Sequence, residues 1–176
     1  MEFNKLEYQQ QFAGLLRAGR ITPSDNLFKI KLFLRKGENS LQIAKFHKDI
    51  IPNKSQPQKL YWNYWAITIS YYSMLYAAKA AILYKGYEVK DHDAAQIAIG
   101  HLLVPDKMEQ EDLELLNQAY KIFEDEYVKY FEDAKVESHI ARYTAIKTYT
   151  ERRLGEIFEN ATAFVAKISL LLQEEY

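Results

Sequence analysis

The chain has 176 residues, 48% of them hydrophobic and 27% charged, which suits one domain with a core of its own and excludes a disordered chain. Six glycines and four prolines supply few turns for a strand-rich fold, and the absence of cysteine removes disulfide scaffolds, thiolate metal sites and thiol nucleophiles. The formal net charge of −1 gives no bulk argument for a nucleic-acid partner.

Met1-Glu2-Phe3-Asn4-Lys5 lacks the basic-then-apolar layout of a signal peptide, so the expected compartment is the cytoplasm. A short leading helix is expected from about Leu6 to Ala18, closed by Gly19. Thr22-Pro23-Ser24-Asp25 then reads as a helix start, with Thr22 as N-cap, Pro23 at the first position and Asp25 supplying the acid of a capping box. Leu27 to Ile50 has Ile30, Phe33, Leu34, Leu41 and Ala44 at helical spacing. Gly37 in its middle costs about 1 kcal/mol relative to Ala. Pro52-Asn53-Lys54-Ser55-Gln56-Pro57 reads as a loop.

Leu60 to Lys85 is the most apolar segment, rich in alanine and stopped by Gly86; apolar on nearly every face, it reads as the central helix. Its Tyr61–Tyr84 stretch is interrupted by Asn63, Thr68, Ser70, Ser73 and Lys79, short of the roughly 18 uninterrupted apolar residues of a membrane span. Lys90 or Asp91 opens a short helix ending before Pro105. Met108 to Glu132 is a charged amphipathic helix, with Leu113, Leu116, Ala119, Tyr120, Phe123 and Tyr127 on one face. Val136 to Ile146 carries no firm assignment. Thr148 and Glu151 form a second capping box, opening a last helix that runs to about Leu172.

The expected fold is therefore all-α: an up-and-down antiparallel bundle of five to six helices, without a convincing strand. Residues 1–22 form a short N-terminal helical extension and residues 23–176 the bundle domain. Charge is uneven along it. Residues 1–60 hold 11 Lys/Arg against 5 Asp/Glu, and residues 106–136 hold 4 against 10. Such a layout can steer a partner or set two copies head to tail, although solvated helix faces are the simpler reading.

The common catalytic motifs are missing. There is no phosphate-cradling glycine loop, no Gly-x-Ser-x-Gly elbow and no His-Glu-x-x-His helix. His92 and His101 lie about 180° apart on a helix, and no Glu precedes any of the four histidines by three residues, so neither a local metal site nor a bundle di-metal site is expected. No cofactor is implied. Fourteen tyrosines, with Tyr61, Tyr64, Tyr71, Tyr72 and Tyr76 on the central helix, suit packing, subunit contacts or stacking on bases.

Ile69-Ser70-Tyr71-Tyr72-Ser73-Met74-Leu75-Tyr76-Ala77-Ala78-Lys79-Ala80 resembles the second helix of HEPN domains. Glu38 to Ala44 resembles the end of the first HEPN helix, His92 a histidine often found at the next helix start, and Glu159 to Val165 the final helix. The resemblance covers about residues 25–172. It implies a helical bundle, usually homodimeric. It further implies either a metal-independent RNase, often a toxin paired with a nucleotidyltransferase antitoxin, or a non-catalytic module for nucleotide or RNA.

The RNase members carry Arg-x(4–6)-His before the last helix, and one branch reads Arg-x4-His-x-Tyr. Here the matching segment is Arg142-Tyr143-Thr144-Ala145-Ile146-Lys147-Thr148-Tyr149. Arg142 and Tyr149 match, whereas Lys147 stands in place of the histidine. Metal-free RNA cleavage needs a group that exchanges protons near neutral pH; His does so near 6.5, while unperturbed Lys ionises near 10.4. Lysine preserves phosphate binding as a fixed charge and loses proton transfer.

The favoured reading is thus a nucleotide- or RNA-binding module without catalysis, using Arg142, Lys147 and Tyr149, with His92 and Lys79 alongside. A homodimer is expected, in which two Arg142 segments could line one cleft. One alternative is a metal-independent RNase toxin with Arg142, Lys147 and Tyr149 as its catalytic residues. Another is a structural partner of a nucleotidyltransferase, with Tyr149 as an acceptor of nucleotide transfer. No membrane partner is expected.

Overall fold

The computed structural model describes residues 3–104, 106–135 and 140–173, with side chains described for 3–55, 58–59, 62–104, 106–123 and 151–173. It is 81% helical, and the all-α expectation holds. In chain order the elements are α1 (Lys5–Arg17), β1 (Ile21–Pro23), α2 (Leu27–Ile50), a 3₁₀ turn (Ile51–Asn53), α3 (Gln56–Tyr84), β2 (Tyr87–Val89), α4 (His92–Leu102), α5 (Gln110–Lys135) and α6 (Ile140–Gln173).

α3 is the centre of the bundle, packed on α2, α6, α5 and α4. Its alanines 66, 77, 78, 80 and 81 are fully buried beside Ile67, Met74 and Ile82; side chains this small let neighbouring helices approach closely. Trp62–Tyr84 is long and apolar enough to cross a membrane, and 72% of its most apolar window is buried inside the bundle.

α2 runs antiparallel to α3. A Cβ on Gly37 would come within 3.0 Å of the Ser73 carbonyl oxygen and 3.2 Å of the Ala77 nitrogen. Gly37 therefore weakens the helix locally, as expected, yet permits this backbone approach. α6 is antiparallel to α2, with the Ser169 hydroxyl donating to Glu38 (3.0 Å) and Lys48 Nζ lying 5.1 Å from the Phe158 ring centre.

Three local expectations are corrected. Thr22 and Pro23 belong to a strand: Ile21, Thr22 and Pro23 pair antiparallel with Val89, Glu88 and Tyr87. A sheet this short has no sequence period to betray it, and Pro23 sits where an edge strand can spare an N–H. The helix instead starts at Leu27, where the Asn26 side chain accepts from the Lys29 amide (3.3 Å). The expected loop at 52–57 is shorter, because Ser55 and Gln58 form a capping box and α3 begins at Gln56. Thr148 opens no helix: α6 is already two turns old there. Gly19 and Gly86, expected as stops, do adopt positive φ (66° and 86°), which glycine reaches without a Cβ penalty. Pro105, the expected end of α4, lies outside the described residues.

α1 lies across α4. Phe12 is buried there, and Tyr8 packs flat over Gly100, where a Cβ would run into its ring. The leading segment therefore covers apolar surface of α4, and β1 stitches it to the chain leaving α3.

Candidate functional site

His92 is the first residue of α4, and its position is set by the residue before it. Asp91 caps the helix, accepting from the Ala94 amide at 3.0 Å. The same carboxylate takes a two-pronged contact from Arg20, with Nη2 at 2.5 Å and Nε at 2.8 Å, and Arg20 also reaches Asp93 at 3.0 Å. Those guanidinium hydrogen bonds, aided by the Ala94 amide, hold Asp91 below the usual carboxylate range against the opposing effect of burial; Arg20 is raised in turn. Charge-assisted bidentate pairs of this kind fix orientation as well as adding energy.

The His92 ring lies against Tyr120 (centroids 5.4 Å apart, planes 20°) and Tyr71 (5.3 Å), with Phe123 and Tyr72 completing an aromatic cluster. The Tyr71 hydroxyl and His92 Nδ1 are hydrogen-bonded. With the hydroxyl as donor, His92 carries its proton on Nε2. Tyr71 itself is buried, so the cluster is filled by its own rings.

Lys79 stands two turns along α3 from Tyr72. It is half-buried, and desolvation lowers its pKa while the nearby Asp91 and Glu88 carboxylates raise it and Lys36 lowers it further. Glu88 is already engaged by Lys29 Nζ (2.8 Å) and the Ser24 hydroxyl (3.1 Å), which hold it below the usual range. Lys36 reaches over the Tyr76 ring at 5.5 Å, and Tyr76 stacks on Phe33. His92 and Lys79 are thus gathered around Asp91, as parts of one surface.

Arg142, Lys147 and Tyr149 all fall on the backbone of α6; their side chains lie outside the described residues. A regular helix turns about 100° per residue, which sets Arg142 and Tyr149 within about 20° of one line and Lys147 about 140° round. Arg153 continues the Arg142 line. The Lys167–Asp112 contact (3.7 Å), together with residues 118–122 facing 153–160, sets α5 and α6 antiparallel. On that register Tyr120 and Phe123 stand level with residues 156–159, so Arg142 lies about 20–25 Å along the bundle from His92 at 1.5 Å per residue. The five expected positions therefore do not converge on a single point: His92 and Lys79 lie beside Asp91, and the other three lie along the first turns of α6.

At the His92 level along the bundle axis, a groove of about 350 Å³ is lined by Gln118, Lys121 and Ile122 of α5 and by Arg153, Glu156, Glu159 and Asn160 of α6. Arg153 lies 3.5 Å from Glu156. Among the described residues, no three His, Asp or Glu side chains are grouped so as to hold a metal ion.

Sequence reasoning missed the Arg20–Asp91 clasp and the Lys29–Glu88 pair. Both join residues about sixty to seventy positions apart, a separation that no local spacing reveals. A family model described as HEPN domain matches residues 59–171. None of the curated proteins matches the chain.

Proposed function

The chain belongs to the HEPN domain family, a family associated with nucleotide and RNA binding and with RNase activity, and on that premise we propose that it is a non-catalytic module that binds RNA. The observation that carries this reading is Lys147. It keeps a positive charge in the Arg142–Tyr149 segment and removes the proton-transfer group of the family's cleaving members.

The length of the surface favours RNA over a single nucleotide. Arg142, Tyr149 and Arg153 follow one line of α6 for about 16 Å. At about 3.4 Å per stacked nucleotide, roughly 16 Å corresponds to about five nucleotides. Arginines would hold phosphates and tyrosine would stack on a base. The same reading has the protein act in the cytoplasm as a homodimer, with a nucleotidyltransferase as its candidate partner.

The test is a fluorescence titration of a labelled single-stranded RNA of about ten nucleotides against the full chain, repeated over a range of salt. Wild type binds, and Arg142→Ala weakens binding and flattens the salt slope by about 0.7 for each phosphate it no longer holds. Equal binding by Arg142→Ala, or a salt-independent affinity, would overturn the reading.

A further inference from the structure

α1 and α5 both pack on α4, and a groove of about 200 Å³ runs between them. Its apolar part is made by Phe3 and Tyr8, Ile97 of α4 and Leu113 of α5. Phe3 and Tyr8 stack on each other with centroids 5.1 Å apart, and Leu113 is buried. Each flanking helix then adds a polar rim of the same composition, amide, carboxylate, amide. On the α1 side these are the cap Asn4, Glu7 and Gln11; on α5 they are Gln110, Glu114 and Asn117. Steps of three and four residues keep each trio on one face of its helix.

The groove offers acceptors and no cation. Gln11 Nε2 donates to Glu7 (3.1 Å) and Gln110 Nε2 to Glu114 (2.9 Å). Each contact orients a carboxylate through one oxygen and leaves the other open. Lys5, the cation next to this face of α1, is turned to Asp106 (3.9 Å). The Asn117 amide oxygen is shut off from solvent and accepts no hydrogen bond. An acceptor in that state gains from a donor placed beside it, and the broad terminal torsion of an amide lets it turn to meet one.

We propose that this groove binds a short linear diamine, one ammonium held by Glu7, the other by Glu114 and Asn117, with the methylenes lying along the apolar strip between the rims. Charge, polarity and size agree on that class. Two carboxylates call for two positive charges, acceptor-only groups call for N–H donors, and the strip between them calls for an aliphatic spacer. At about 30 Å³ per water molecule in the liquid, the groove holds about seven waters, or an organic cation of about as many non-hydrogen atoms. The family match begins at residue 59, so the α1 side of the groove lies outside it. The site is a property of the leading segment of this chain and is independent of the RNA reading of the Arg142 segment.

Isothermal titration calorimetry of the full chain with putrescine, without RNA and at low salt, tests the site. Saturable binding of one putrescine is expected. Glu7→Gln and Glu114→Gln should each weaken it about fivefold, the size of one solvent-screened ion pair, with unchanged circular dichroism because both side chains are exposed. Glu111→Gln, an exposed acid of α5 that does not line the groove, should leave it unchanged. Butylamine, with one ammonium on the same spacer, should bind more weakly than putrescine. Absence of saturable binding overturns the proposal, as does an equal loss in Glu111→Gln or equal affinity for butylamine. A trilysine peptide that binds more tightly than putrescine would also overturn it, giving the groove to a basic protein segment.

Discussion

Asp91 joins two tasks in one carboxylate, and removing them separately gives a quantitative test of how the His92 end is built. Asp91→Ala loses the N-cap of α4, worth about 1 kcal/mol. It also loses the bidentate contact to Arg20. The Asp91 side chain is 34% exposed and that of Arg20 39%, so solvent screens the pair and it contributes about 0.5–1 kcal/mol; Arg20 retains Asp93. The sum is about 1.5–2 kcal/mol, or roughly 3–8 °C in melting temperature for a chain of this size. Asp91→Asn keeps an oxygen for the Ala94 amide and should lose only about 0.5–1 kcal/mol, the charge-dependent part.

The pH dependence follows from the sign of the Asp91 shift. Its folded-state pKa is depressed, chiefly by Arg20, from an ordinary 3.8. Its stabilisation is therefore fully present above the unfolded value and is lost as pH falls through the folded one. Urea unfolding monitored by far-ultraviolet circular dichroism would show wild type ahead of Asp91→Asn at neutral pH. The margin should close only as the solution becomes more acidic than the usual carboxylate range. Equal stability of the two proteins at neutral pH, or a margin unchanged in strong acid, would refute the argument.

Gly37→Ala and Gly155→Ala should move stability in opposite directions. Nothing lies within 4 Å of a Cβ on Gly155, so alanine gains about 0.5–1 kcal/mol of helix propensity there, while at Gly37 the Ser73 and Ala77 backbone atoms cannot rotate aside and overpacking should cost more than that gain. Urea midpoints that shift the same way would contradict the close α2–α3 approach. Asn63 is wholly buried with neither amide atom hydrogen-bonded, so Asn63→Leu should stabilise the fold by about 1–2 kcal/mol. A lowered midpoint would mean that the amide is satisfied in solution. Lys147→His restores the complete Arg-x4-His-x-Tyr spacing, and RNA cutting in chelator should emerge in that variant; an inert variant with intact RNA binding would show that more than Lys147 separates this chain from the cleaving members.

Much of the fold was legible because helices advertise themselves over many residues. The alanine-rich stretch before Gly86 marked the central helix, and Asp91 marked the start of α4. Thr22-Pro23 misled because its strand has three residues and owes its existence to Tyr87–Val89, far along the chain. The Thr148–Glu151 pair misled because a capping box is only a local option, overridden when the preceding residues are helical themselves. His92 and Lys79 were legible as candidates, but the Tyr71 hydroxyl, the Arg20 clasp and the Glu88 pair that surround them were not, since those contacts depend on how helices cross. The outer face of α2 was hidden for another reason: Phe28, Leu32, Ile43 and Phe46, all exposed, have helical spacing too, and a sequence does not say which of two apolar faces the bundle will take.

The central claim is that this chain holds RNA without cutting it. The most direct measurement follows binding and integrity of one labelled single-stranded RNA in the same chelator-containing sample, for wild type and for Arg142→Ala. The account predicts a bound and intact RNA with wild type and weakened binding with Arg142→Ala. Cleavage by wild type that disappears in Arg142→Ala would contradict it and make the chain an RNase in which Lys147 transfers the proton.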